Sequence, residues 1–114
     1  MTNDRLTAIL AERIMGWRVG PERFILGSRQ WITRSHFQPF DRVQDAFRLL
    51  RKASIAFSLT KTPDGAFCAT VRVGNRTGTA SGRAEADTIT LAIARAVGLE
   101  TGGKEPTKTG MGRQ

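Results

Sequence analysis

Hydrophobic and polar positions alternate most strictly between Ile55 and Val73. Ile55, Phe57 and Leu59 interleave with Ala56, Ser58 and Thr60, then Thr62-Pro63-Asp64-Gly65 breaks the pattern, and Phe67, Ala69, Val71 and Val73 interleave with Cys68, Thr70 and Arg72. A period of two places alternate side chains on one face, so this stretch predicts a β-hairpin with one apolar face. Such a hairpin is marginally stable alone, and helices on either side in sequence are expected to cover it. Gly74-Asn75 is a two-residue turn signal, and Arg76 to Gly82 reads as a third strand. Its Thr, Ser and Gly content makes it an edge strand, which leaves a homodimer formed by strand addition open.

Elsewhere the apolar period lengthens to that of a helix. Thr2 or Asn3 can cap a first helix with Asp4 in its first turn, Leu6, Ile9, Leu10 and Ile14 on one face, and Gly16 as its stop. Trp17 and Val19 form a short extended piece. Glu22–Leu26 and Gln30–Arg34 read as two short strands around Gly27-Ser28-Arg29. Phe37-Gln38-Pro39-Phe40 leads into a second helix from Asp41 to Lys52, with Asp41 and Gln44 at capping-box spacing. Val43, Ala46, Phe47 and Leu50 share one face of it, as on a surface helix packed on a sheet. Asp87 or Thr88 is expected to cap the last helix, which turns Ile89, Ile93, Ala96 and Val97 inward and stops at Gly98. The order α-β-β-α-β-β-β-α implies one α+β domain over residues 1–100, an antiparallel sheet covered by helices as a helix/sheet/helix sandwich. Residues 101–114, with Lys104, Lys108 and Arg113, are expected to be a disordered basic tail.

A chain of 114 residues can bury roughly 60 to 70% of its extended surface without disulfides or metal. Its single cysteine excludes an internal disulfide and suits a reducing compartment. Neither a signal peptide nor a membrane-length apolar run is present in the sequence, so a soluble intracellular protein with no membrane partner is expected. Eighteen Lys and Arg against ten Asp and Glu give a formal charge of +8, and fourteen of the eighteen cations are Arg. That excess suits phosphates or an acidic protein, although the charges are spread along the chain rather than run together.

Candidate chemistry is sparse. His36 and Cys68 are singletons far apart in sequence, without the local signature of a Cys/His nucleophilic pair. The close carboxylates, Glu85 with Asp87 and Asp41 with Asp45, fall at helix starts, where unpaired N–H groups favour them. The glycine-rich run from Gly74 to Gly82 matches neither the P-loop nor the dinucleotide fingerprint. The expectation is a protein without cofactor or metal that is not an enzyme. Residues 41–98 follow the α-β-β-β-α order of a double-stranded RNA-binding domain, but Glu85 and Asp87 stand where such a domain holds phosphates with basic residues. Arg72, Arg76 and Arg83 could still form a basic strip on the outer strands for nucleic acid or an acidic partner. Trp31, Phe37 or Phe40 could stack on bases, although such aromatics are more often core.

Three segments carry a family resemblance. Leu10-Ala11-Glu12-Arg13-Ile14-Met15-Gly16-Trp17 resembles the opening motif of the phage ABA sandwich domain family. Phe37-Gln38-Pro39-Phe40 with the helix that follows resembles its aromatic-x-Pro helix entry, and Ala84 to Ala96, AEADTITLAIARA, resembles its closing segment. The likeness spans residues 6 to 98 in order and spacing. It implies a helix/sheet/helix sandwich found in small proteins of phages and prophages, and a place in the cytoplasm of a bacterial host. The resulting expectation is an accessory protein that binds a macromolecule: a bacterial or phage protein, inhibiting host or defence machinery, or else nucleic acid through the dispersed Arg-rich surface.

Overall fold

The computed structural model describes residues 2–99. The expected basic tail lies outside them. Helix α1 spans Asn3–Leu10 and continues as a π-helical turn over Ala11–Met15. Strands β1 (Arg18–Val19), β2 (Arg23–Ile25) and β3 (Trp31–Thr33) form a small antiparallel meander, followed by a 3-10 turn at Arg34–His36. Helix α2 (Val43–Ala53) leads to a second antiparallel meander of β4 (Ala56–Lys61), β5 (Phe67–Val73) and β6 (Arg76–Gly82), and α3 (Glu85–Ala96) closes the described fold. The α+β class and element order agree with the sequence reading, and the short piece at Arg18–Val19 joins the first sheet.

Local chemistry explains the ends of α1. The Thr2 hydroxyl accepts from the Arg5 backbone N–H at 3.2 Å, which satisfies one of the unpaired donors of the first turn. Gly16 ends the π turn with a φ of +73°, a left-handed conformation that glycine adopts without a β-carbon penalty. The Trp17 N–H then donates to the Ala11 carbonyl, and the indole enters the core against Phe24 and Phe37. These three rings have centroids 5.0 to 5.8 Å apart in tilted and edge-to-face packing, the arrangement that aromatic quadrupoles favour.

The caps expected for α2 and α3 are different in the structure. Arg42 and Ala84 occupy the N-cap positions, and neither supplies a side-chain cap. Asp45 reaches back instead to accept from the Gln38 N–H at 2.9 Å, which holds the Pro39 entry turn against α2. Glu85 and Asp87 lie in the first turn of α3, and the Thr88 hydroxyl donates to the Ala84 carbonyl at 2.8 Å.

Helix α3 is the centre of the molecule. From Thr88 to Ala94 every side chain is buried, because β5 and β6 lie on one side of it and α2 on the other. A helix enclosed on several sides has no polar stripe. Thr90, fully buried, donates to the Pro39 carbonyl at 2.6 Å and so satisfies its hydroxyl. Helix α2 therefore packs on α3 and the π turn, where a sheet had been expected to receive it.

Register places Phe57, Val71 and Gly78 in one row and Leu59, Ala69 and Ala80 in the next, all on the face toward α3. Ala69, Val71 and Ala80 are buried there. The helix packs chiefly on β5 and β6, so the expected cover of the hairpin is incomplete at the start of β4. Ile55 is 67% exposed and Phe57 50% exposed.

Candidate functional site

The three arginines singled out from the sequence do not converge. Arg72 pairs in register with Ala56 and Thr77 on the face of the second sheet that points away from α3. Arg76 begins β6 on the helix side, where its guanidinium packs on the end of α3: a β-carbon on Gly98 would lie 2.8 Å from an Arg76 Nη. A cation there complements the helix dipole. Arg83 follows the far end of β6, donates to the Asp64 carbonyl at 2.7 Å and pairs with the Asp64 carboxylate at 3.8 Å, with both side chains well exposed. Arg76 and Arg83 are seven positions apart, about 23 Å at the rise of an extended chain. These cations occupy opposite ends and opposite faces of one sheet.

The aromatic candidates divide in the same way. Phe37 and Phe40 are core residues, 0% and 4% exposed, and cannot stack on a ligand base. Trp31 is 55% exposed, and the Arg23 guanidinium lies over its ring at 4.4 Å. His36 is exposed in the 3-10 turn with Nδ1 3.4 Å from the Thr33 hydroxyl. Cys68 is half-buried on β5, on the face away from α3. Among the described residues no three His, Cys, Asp or Glu side chains gather as a metal-binding group.

Two features stand out that the sequence reading did not identify. The first is the edge formed by β4. This strand is outermost in its sheet, begins just after the exposed Ile55, carries Phe57 exposed at that end, and continues onto a sheet face where Ser58, Thr60, Thr70, Thr77 and Thr79 are exposed. A shallow groove of about 270 Å³ runs along this face beside Ala56 and Arg72. An unpaired edge also presents backbone N–H and C=O groups.

The second is a cleft of about 700 Å³ between the first two turns of α1 and the segment from Arg34 to Gln38. Its polar wall includes Asp4, Arg5, Thr7 and Arg34, and Phe24 and Phe37 close its floor from beneath. Arg34 is fixed in place: its guanidinium donates to the carbonyls of Gly20 and Asp4, each at 3.4 Å, and lies over the Phe24 ring at 5.4 Å. The residues of this wall are nearly thirty positions apart in sequence, and no local signal links them.

Among the described residues no helix is long and apolar enough to cross a membrane. No family model matches the chain, and no curated protein matches it. Among solved structures, the chain is similar to the crystal structure of a phage protein from Bacillus cereus ATCC 14579, with a TM-score of 0.71 and 16% sequence identity over 88% of this chain and 91% of that one. At that identity the likeness is one of fold, and it extends over nearly the whole of both chains: this α+β arrangement is one that a phage protein also adopts.

Proposed function

We propose that the chain is a non-catalytic accessory protein of phage type that binds a partner protein along the β4 edge. The observation that carries this reading is the exposure of Ile55 and Phe57, 67% and 50%, at the start of β4, whose outer edge pairs with no strand among the described residues. Soluble proteins usually protect such strands with charge, bulges or a covering element. Here Lys61 at the far end is the only charged residue of β4. A partner strand added to β4 would gain main-chain hydrogen bonds, and Phe57 would anchor the contact, as large aromatics do at the centres of interfaces. Arg72 on the neighbouring strand favours an acidic partner. The resemblance to the phage ABA sandwich domain family supports a phage or prophage setting within a bacterial cytoplasm, where such a contact would block host or defence machinery.

Nucleic-acid binding is supported less well, because Arg72, Arg76 and Arg83 form no continuous basic strip. The test is retrieval of a specific protein from a bacterial lysate by the wild type and by the Ile55→Asp/Phe57→Asp double variant. Retrieval by the wild type alone, retained at about 200 mM salt, is the expected result. Tight binding to labelled single- or double-stranded nucleic acid that collapses between about 50 and 200 mM salt would overturn this reading in favour of phosphate tracking. Light scattering showing a dimer in the wild type and a monomer in the double variant would assign the edge to a second copy of the chain instead.

A further inference from the structure

The cleft beside α1 lies on a different part of the fold from β4. Its volume of about 700 Å³ falls within the range of small-molecule sites, roughly 300 to 1,000 Å³. Three of its side chains point to the chemistry of a ligand. Thr7 lines the cleft and is 8% exposed. A hydroxyl can both donate and accept, so it suits a ligand oxygen in the cleft.

Arg34 lines the same wall. Its guanidinium bonds to the Gly20 and Asp4 carbonyls are long and spend none of its charge on a carboxylate. Of the five N–H donors of a guanidinium, others remain for a bound anion. Arg5, one turn from Thr2 on α1, brings a second guanidinium to the cleft. Two guanidinium forks and a hydroxyl suit the oxygens of a phosphate group, with which arginine makes paired, charge-assisted hydrogen bonds. Asp4 stands beside them as an acceptor. It would repel a bare anion and reward a ligand that also carries a hydroxyl donor.

We infer that this cleft binds a small hydroxyl-bearing phosphate monoester, with Arg5, Arg34 and the Thr7 hydroxyl on the phosphate and the Asp4 carboxylate on a ligand hydroxyl. Sugar phosphates and nucleoside monophosphates share that chemistry. The inference is independent of the β4 reading, because variants at Ile55 and Phe57 leave the cleft unchanged.

The experiment is calorimetric titration of the full chain with ribose 5-phosphate, adenosine 5′-monophosphate, inorganic phosphate and acetate, in about 50 mM salt, where charge-assisted contacts are little screened. Saturable one-to-one binding of either organic phosphate is expected, weaker for inorganic phosphate and absent for acetate. Ribose 5-phosphate binding as tightly as the nucleotide would place recognition on the sugar phosphate, and preference for the nucleotide would extend it to the base. Arg5→Ala is expected to weaken binding about tenfold and Thr7→Val several-fold, with Arg34→Lys losing the paired geometry. Circular dichroism confirms that each variant is folded, and the wild-type comparison among probes does not depend on the variants. Failure of both organic phosphates to saturate, acetate binding equally well, or unchanged affinity in all three variants would overturn the assignment.

Discussion

Gly78 of β6 and Ala96 of α3 are in backbone contact: a β-carbon built on Gly78 would lie 2.9 Å from the Ala96 Cα and closer still to the Ala96 nitrogen and the Ala92 carbonyl. These are backbone atoms, so no side chain can rotate away to relieve the overlap. Gly78→Ala is therefore expected to force α3 off the sheet at a cost of about 3 kcal/mol, near the upper end for overpacked sites. Urea denaturation would read this as a lowered midpoint. Gly27→Ala is the control, because its β-carbon would meet only the Gln30 Oε1 at 4.0 Å, and stability should change by less than about 1 kcal/mol.

A second long-range tie joins Thr90 to the Pro39 carbonyl across 51 positions of sequence. Both ends are buried, so removing the hydroxyl leaves the carbonyl without that donor. Thr90→Val, nearly equal in volume, is expected to lose about 1 to 3 kcal/mol. Thr90→Ser keeps the donor and gives up a methyl group, so it should retain the bond while losing about 1 kcal/mol of apolar burial. A Ser variant as unstable as the Val variant would assign the effect to packing instead.

Much of this fold is legible in sequence, for local reasons. The period-two stretch from Ile55 to Val73 and the stops at Gly16 and Gly98 depend on neighbours within a few residues, and each element appears where that chemistry places it. The misreadings concern relations between elements. Hydrophobic alternation marks Ile55 and Phe57 as one face with Val71, but only the path of α3 over β5 and β6 decides which of them is covered. Asp45 is adjacent to a helix start in sequence, yet its acceptor role is spent on Gln38 through the bend at Pro39. The cleft is the extreme case: Arg5, Thr7 and Arg34 become neighbours only when the first sheet folds back on α1. The arginine strip fails for the converse reason, since positions 76 and 83 share one short strand but lie at its two ends.

The β4–β5 turn carries a pH signature. The Thr62 hydroxyl, and after it the Ala66 N–H, bond the Asp64 carboxylate and hold its pKa below the usual 3.8. A depressed folded-state pKa contributes stability that is present above 3.8 and fades as pH falls through the lower folded value. The side chain is well exposed, so the effect on global stability is small. Titration of the Asp64 carboxyl carbon by NMR should give a midpoint below 3.8 in the wild type, shifted upward in Thr62→Val. An unshifted midpoint in that variant would give the turn's backbone, rather than the hydroxyl, control of the carboxylate.

The exposed end of β4 separates the requirements of folding from those of binding. Phe57 retains half of its surface in solvent, so Phe57→Ser is expected to cost less than about 1 kcal/mol. Ile93, fully enclosed between the second sheet and α2, offers the contrast: Ile93→Ala should cost about 2 to 5 kcal/mol through lost burial and the cavity left behind. If Phe57 anchors a partner, its serine variant will melt with the wild type yet lose more than tenfold in affinity for the protein recovered by the wild type, a loss above about 1.4 kcal/mol. A large fall in stability would instead make Phe57 part of the core. Unchanged stability together with unchanged affinity would remove the β4 edge from the interface.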